Sequence, residues 1–142
     1  MIEIIKGEID RKFGGILWEK VESTHEDYSC NLPEVVVFMG LKGGKELIIA
    51  FSKGLLKRLV AMGLNCDEAL VSEIEIVNKA KSLSLEITKP IFKDLVPYPA
   101  ILKGNFMELM VHKAVLHAYY GSFDREHIFL GVVEPIESST NL

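Results

Sequence analysis

Glu75 and Asn78 stand three residues apart in the run Glu75-Ile76-Val77-Asn78, inside a stretch from Asp67 to Thr88 whose pattern predicts the longest helix of the chain. On a helix that spacing puts a carboxylate and a carboxamide side by side on one face. Such a pair can grip a cation and aim a water at once, which is what hydrolysis of a reactive acyl phosphate needs. The same residues also have a plainer reading. Glu75 and Lys79 form an i,i+4 pair of the kind that ordinarily decorates a solvent-facing helix. Which reading holds depends on the face the tetrad occupies.

Projection at about 100° per residue separates two faces. Leu70, Ile74, Val77, Ala80, Ser84 and Ile87 gather on one side, the expected core face. Glu75, Asn78, Ser82 and Glu86 gather nearly opposite, with Val71 among them, so Glu75 and Asn78 are expected to point outward with room for a partner protein. Glu73 projects toward the apolar side and must bend out or find a partner.

The elements that must hold this helix follow from periodicity and turn residues. Apolar residues at Ile5, Ile9, Phe13, Ile16 and Leu17 predict a helix over about 4–21, interrupted by Gly14-Gly15. Residues 22–31 are polar and read as a loop closed by Pro33. Residues 34–41 and 45–51 are β-branched and aromatic on either side of Lys42-Gly43-Gly44, a hairpin. Ser52 is placed to cap a short helix, Lys53 to Met62, ended by Gly63. Asn65 or Asp67 is placed to cap the long helix, and Pro90 to stop it. Pro97-Tyr98-Pro99 is a rigid connector, residues 100–103 a short strand, and residues 106–112 fit strand or loop. Lys113 to Tyr120 and His127 to Glu134 pair around Gly121-Ser122-Phe123-Asp124, and the tail after Pro135 is polar. The order predicts a single α+β domain over 1–142, with helices packed on an antiparallel sheet and a core at about 33–134.

Composition narrows the function classes. Nearly half of the 142 residues are hydrophobic, which suits a globular chain with a real core. A formal charge of −4 and the lack of a Lys/Arg stripe argue against nucleic acid as partner. The N-terminus is charged too early for a signal peptide, and no apolar run reaches membrane-span length, so a cytoplasmic protein is expected. Cys30 and Cys66 make neither a disulfide framework nor a zinc spacing. His25, His112, His117 and His127 include no i,i+4 pair, so no metal site is expected on this chain. The Gly40-to-Gly44 segment lacks phosphate-loop spacing, Ser52 has no nucleophile elbow around it, and Trp18 and Tyr119-Tyr120 read as core or interface aromatics.

The order of these features carries a resemblance. A strand ending in Phe51-Ser52, a short amphipathic helix through Leu59-Val60, the E-x-x-N helix and a proline connector into β structure resemble the CheX branch of the CheC/CheX/FliY chemotaxis phosphatases, over roughly Pro33 to Glu134. By that resemblance Glu75 would pair with the lysine beside the phosphoaspartate of a response-regulator receiver domain, and Asn78 would orient the attacking water. Val71, Lys79 and Ser82 would touch the receiver, no cofactor would sit on this chain, Mg²⁺ would sit on the receiver, and the chain would pair with a second copy through its sheet. The family pattern has Asp or Ser four residues before the Glu; here Val71 stands there and Ser72 is one place off. The downstream proline, Pro97 or Pro99, also comes slightly early. A single E-x-x-N tetrad fits the one-site type. Two rivals differ in class: a non-catalytic receiver-binding or dimerisation module on the same scaffold, and an α+β ligand-binding or thioester-hydrolysing domain with a closed apolar pocket.

Overall fold

The structure, a computed structural model, describes residues 1–21, 33–96, 100–103 and 113–136. The elements run α1 (Ile2–Phe13), β1 (Leu17–Lys20), β2 (Val35–Gly40), β3 (Glu46–Phe51), α2 (Lys53–Leu64), a 3-10 turn (Glu68–Leu70), α3 (Glu73–Ile87), a 3-10 segment (Lys89–Asp94), β4 (Ala100–Lys103), β5 (Lys113–Phe123) and β6 (Glu126–Pro135). Six strands form one antiparallel sheet in the order β1-β5-β6-β3-β2-β4. This is the α+β architecture expected. Segments 22–31, 97–99 and 106–112, and the tail from 137, lie outside the described residues, as do Cys30, His25 and His112.

Strands β2 and β3 are buried along nearly their whole length, which explains their unbroken apolar runs. Val35, Val37, Met39, Leu47, Ile49, Phe51, Ile128 and Leu130 share one cluster with Ile5 and Ile9 of α1, Leu55 and Leu56 of α2, and Ile76, Ala80 and Ile87 of α3. All three α-helices therefore pack on one sheet face. Val36, Phe38, Ile48, Ala50, Ala118, Phe129 and Val133 form a second buried cluster on the other face.

Several sequence expectations need correction. The N-terminal helix stops at Phe13, not Val21. Gly14 and Gly15 both take φ of +65°, a region that breaks a right-handed helix and suits glycine. Ile16 and Leu17 then lead into β1, which pairs with β5 from Leu17↔Ser122 to Lys20↔Tyr119. Trp18 ties this strand back to α1 by donating its indole N–H to Asp10 at 2.7 Å. Gly121 belongs to β5, not to a turn; a Cβ there would lie 2.8 Å from both Ile16 and Trp18. The β5–β6 turn is Asp124-Arg125, both with positive φ.

The long helix is also shorter than expected. Asp67 caps only the 3-10 turn, accepting from the Ala69 N–H at 2.9 Å, and Ser72 caps α3. The buried stripe of α3 is Ile76, Ala80, Leu83, Ser84 and Ile87. Leu70 and Ile74, expected in the core, are 73% and 70% exposed. Leu70 is not part of α3, and the expected face, which counted Leu70, Ile74 and Val77 and left out Ile76 and Leu83, lies about 60° from the observed stripe. Helix α2 runs to Leu64, past Gly63, with Asn65 as its left-handed C-cap.

Candidate functional site

Helix α3 begins with a reciprocal cap. The Ser72 N–H donates to Glu75 Oε1 at 3.0 Å, the Ser72 hydroxyl donates to the same oxygen at 2.8 Å, and the Glu75 N–H donates to Ser72 Oγ at 3.3 Å. This is a capping box, and it satisfies two of the backbone donors that a helix start leaves open. The Ser72 backbone N–H, and after it the Ser72 hydroxyl, hold the Glu75 carboxyl below the usual carboxylate range. Both bonds fall on Oε1, so Oε2 has no bond from the described residues.

Asn78 is exposed. At about 100° per residue it falls about 180° from the centre of the buried stripe, so its carboxamide faces away from the core. Side chains on a helix lean toward its N-terminus, which tilts Asn78 over the turn that carries Glu75. Ile74 sits one turn before Asn78 on this face, and Leu70 lies just ahead of the Ser72 cap. On this face the exposed Ile74 side chain therefore precedes the carboxamide, with the fixed carboxylate beside it.

The other expected site residues separate. Ser82 is exposed on the same side of α3, and its hydroxyl donates to the Lys79 carbonyl at 3.1 Å. Lys79 is half-buried and makes no ion pair with Glu75; its charge acts on Glu86, whose main partner is Lys12 of α1. The i,i+4 pair expected from spacing is thus absent, because Glu75 turns back to Ser72. Val71 is not on the exposed helix face. It is 8% exposed, precedes the helix and packs in the core. Glu73, the expected misfit, swings out and pairs with Lys53 at the start of α2.

Two features of the site lay outside the sequence reading. Ser72-x-x-Glu75 is the capping-box signature, legible in the chain but passed over in favour of Asn65 and Asp67. The exposure of Leu70 and Ile74 had no sequence signal, since apolar spacing alone assigns such residues to a core. Among the described residues, no group of three or more His, Cys, Asp or Glu side chains is arranged to hold a metal ion, and no helix is long and apolar enough to cross a membrane.

A chain of the CheX–CheY–BeF3–Mg²⁺ complex from Borrelia burgdorferi aligns with a TM-score of 0.65 over 94% of each chain, at 14% identity. The chemotaxis protein CheX from Vibrio vulnificus aligns with a TM-score of 0.50 over 92% of this chain and 93% of that one, at 13% identity. This chain has the fold of CheX. A chain of the FliM–SpeE complex from H. pylori aligns more loosely, with a TM-score of 0.51 at 10% identity, over 99% of this chain and 85% of that one. No protein-family model and no curated protein matches the chain. In this CheX-like fold the E-x-x-N helix is α3, held on the sheet by Ile76, Ala80, Leu83 and Ile87, with Asn78 turned the other way.

Proposed function

We propose that this chain accelerates hydrolysis of the aspartyl phosphate on a response-regulator receiver domain. The observation that carries the reading is the outward Asn78 carboxamide beside a Glu75 carboxylate held by Oε1, with Oε2 unengaged among the described residues. Glu75 Oε2 takes the receiver's lysine, and the Asn78 carboxamide accepts a hydrogen from a water and aims it at phosphorus. The water oxygen bonds to phosphorus as the bond to the aspartyl oxygen breaks. Phosphate and a free carboxylate result, and the water's protons pass to phosphate and solvent. Catalysis is positioning and electrostatics, with no covalent intermediate on this chain. Mg²⁺ is expected on the receiver and no cofactor on this chain. The exposed Leu70 and Ile74 supply apolar area that a protein partner would cover.

The test is the lifetime of phosphate on a CheY-type receiver loaded from acetyl phosphate. Wild type should shorten it and Asn78→Ala should not, with the circular dichroism of the two proteins alike; equal shortening by both ends the mechanism.

A second reading, receiver binding without catalysis, is favoured by one observation: Glu75 already bonds Ser72 within its own helix. Its mark is complex formation with an unchanged phosphate lifetime. Pairing with a second copy through the sheet is also proposed. Neither C-terminal strand is an outright edge: β5 lies between β1 and β6, and β6 between β5 and β3. Among the described residues, β1 covers β5 from Tyr119 to Ser122, and the Val21 N–H extends the pairing to the Ala118 carbonyl at 2.9 Å. Among the described residues, the run from Lys113 to His117, with its bulge, pairs only with β6, and a second copy would add its strand on the other side. A dimer in sedimentation at micromolar concentration is expected; a monomer counts against it.

A further inference from the structure

We propose that Ser72 is a positioning residue for the reaction, holding Glu75 by Oε1 so that Oε2 is presented to the receiver's cation. This rests on the phosphatase reading of Glu75 and Asn78. The geometry shows two roles in one side chain. As acceptor, Ser72 Oγ takes the Glu75 N–H at 3.3 Å and caps the helix. As donor, the same hydroxyl reaches Glu75 Oε1 at 2.8 Å, and the Ser72 backbone N–H joins it at 3.0 Å. A free glutamate on an exposed helix surface samples several rotamers, and every one but the productive one must be given up when the receiver docks. Two donors converging on one oxygen remove most of that freedom beforehand. The carboxylate has acceptor capacity left, since its two oxygens offer about four lone-pair sites. Lys79, the nearest cation along the helix, forms no ion pair with Glu75, so among the described residues no cation occupies Oε2. The serine one place away from the family position therefore acts directly on the glutamate.

Substitutions separate the cap from the positioning. Ser72→Asp keeps a good N-cap acceptor for the Glu75 N–H, but it cannot donate to Oε1 and sets a like charge beside it. Ser72→Thr keeps both functions. With phosphate lifetime on the acetyl-phosphate-loaded receiver as readout, Ser72→Asp should lose about tenfold of the acceleration, within the on-the-order-of-100-fold that misplacing a positioned group costs. Ser72→Thr should retain it. The acid limb of the pH profile should move to higher pH in Ser72→Ala, because the hydroxyl that favours the charged carboxylate is gone. Wild-type acceleration in Ser72→Asp overturns the proposal and makes Ser72 a cap only. Activity gained in Ser72→Ala overturns it in the other direction, as release of a sequestered glutamate. Carboxyl-carbon NMR titration of Glu75 reads the same contact without the receiver. An upward shift in Ser72→Ala supports the proposal, and an unchanged midpoint overturns it. Absence of any wild-type acceleration, with that upward shift present, is instead the failure of the phosphatase reading.

Discussion

Helix α2 starts after Ser52 and helix α3 after Ser72, and the two hydroxyls are directed differently. Ser52 is 7% exposed and makes no side-chain cap bond to its own helix. It donates to Glu126 Oε2 at 2.5 Å and accepts the His127 N–H at 3.0 Å, while its backbone N–H donates to the His127 carbonyl at 2.9 Å. Arg58, farther along α2, bonds Asp124 in the same hairpin at 2.8 Å. The start of α2 is thus fastened to β5–β6 through part-buried contacts at Ser52 and an exposed one at Arg58. Ser72 is exposed, and its hydroxyl's contacts stay within three residues. Burial explains the difference. Where water is scarce, the half-buried Glu126 needs a donor and the nearest serine supplies it. Where water is present, the serine is left to its own helix. One helix start is a structural joint, and the other is open to a partner.

Three substitutions sharpen this contrast, in order of their effect on folding. Ser52→Ala leaves the His127 N–H without its partner and the Glu126 carboxylate with only the Arg58 guanidinium at 3.9 Å among the described residues, and should cost about 2 kcal/mol in chemical denaturation. Ser72→Ala removes a solvent-facing cap and should cost about 1 kcal/mol in the same experiment. Ile74→Asp should change stability by less than about 0.5 kcal/mol, since the residue is 70% exposed. A larger loss from Ser72→Ala than from Ser52→Ala would break the comparison. The order should reverse for receiver affinity, measured by titration calorimetry: Ile74→Asp weakens binding and Ser52→Ala, if folded, does not.

Much of the fold was legible where local chemistry and tertiary demand agree. The β2–β3 hairpin is framed by β-branched residues and a Lys42-Gly43-Gly44 turn, with Gly43 and Gly44 both at positive φ. The β5–β6 pairing was legible but its turn was not, because Arg125 takes a positive φ that side chains seldom adopt. The N-terminal helix was overextended because Ile16 and Leu17 keep its apolar spacing past the glycines. Of the candidate site, the outward direction of Asn78 could be read from the wheel. The depth of Val71 and the exposure of Leu70 could not. Each depends on where the chain between α2 and α3 packs, which no single-helix projection contains.

The most direct test is the decay of phosphate on the receiver, followed with wild type and Asn78→Ala at matched concentrations. Faster decay with wild type and decay indistinguishable from receiver alone with Asn78→Ala is the result expected. Equal decay with both proteins, whether fast or slow, contradicts the assignment of α3's outer face to phosphoaspartate hydrolysis.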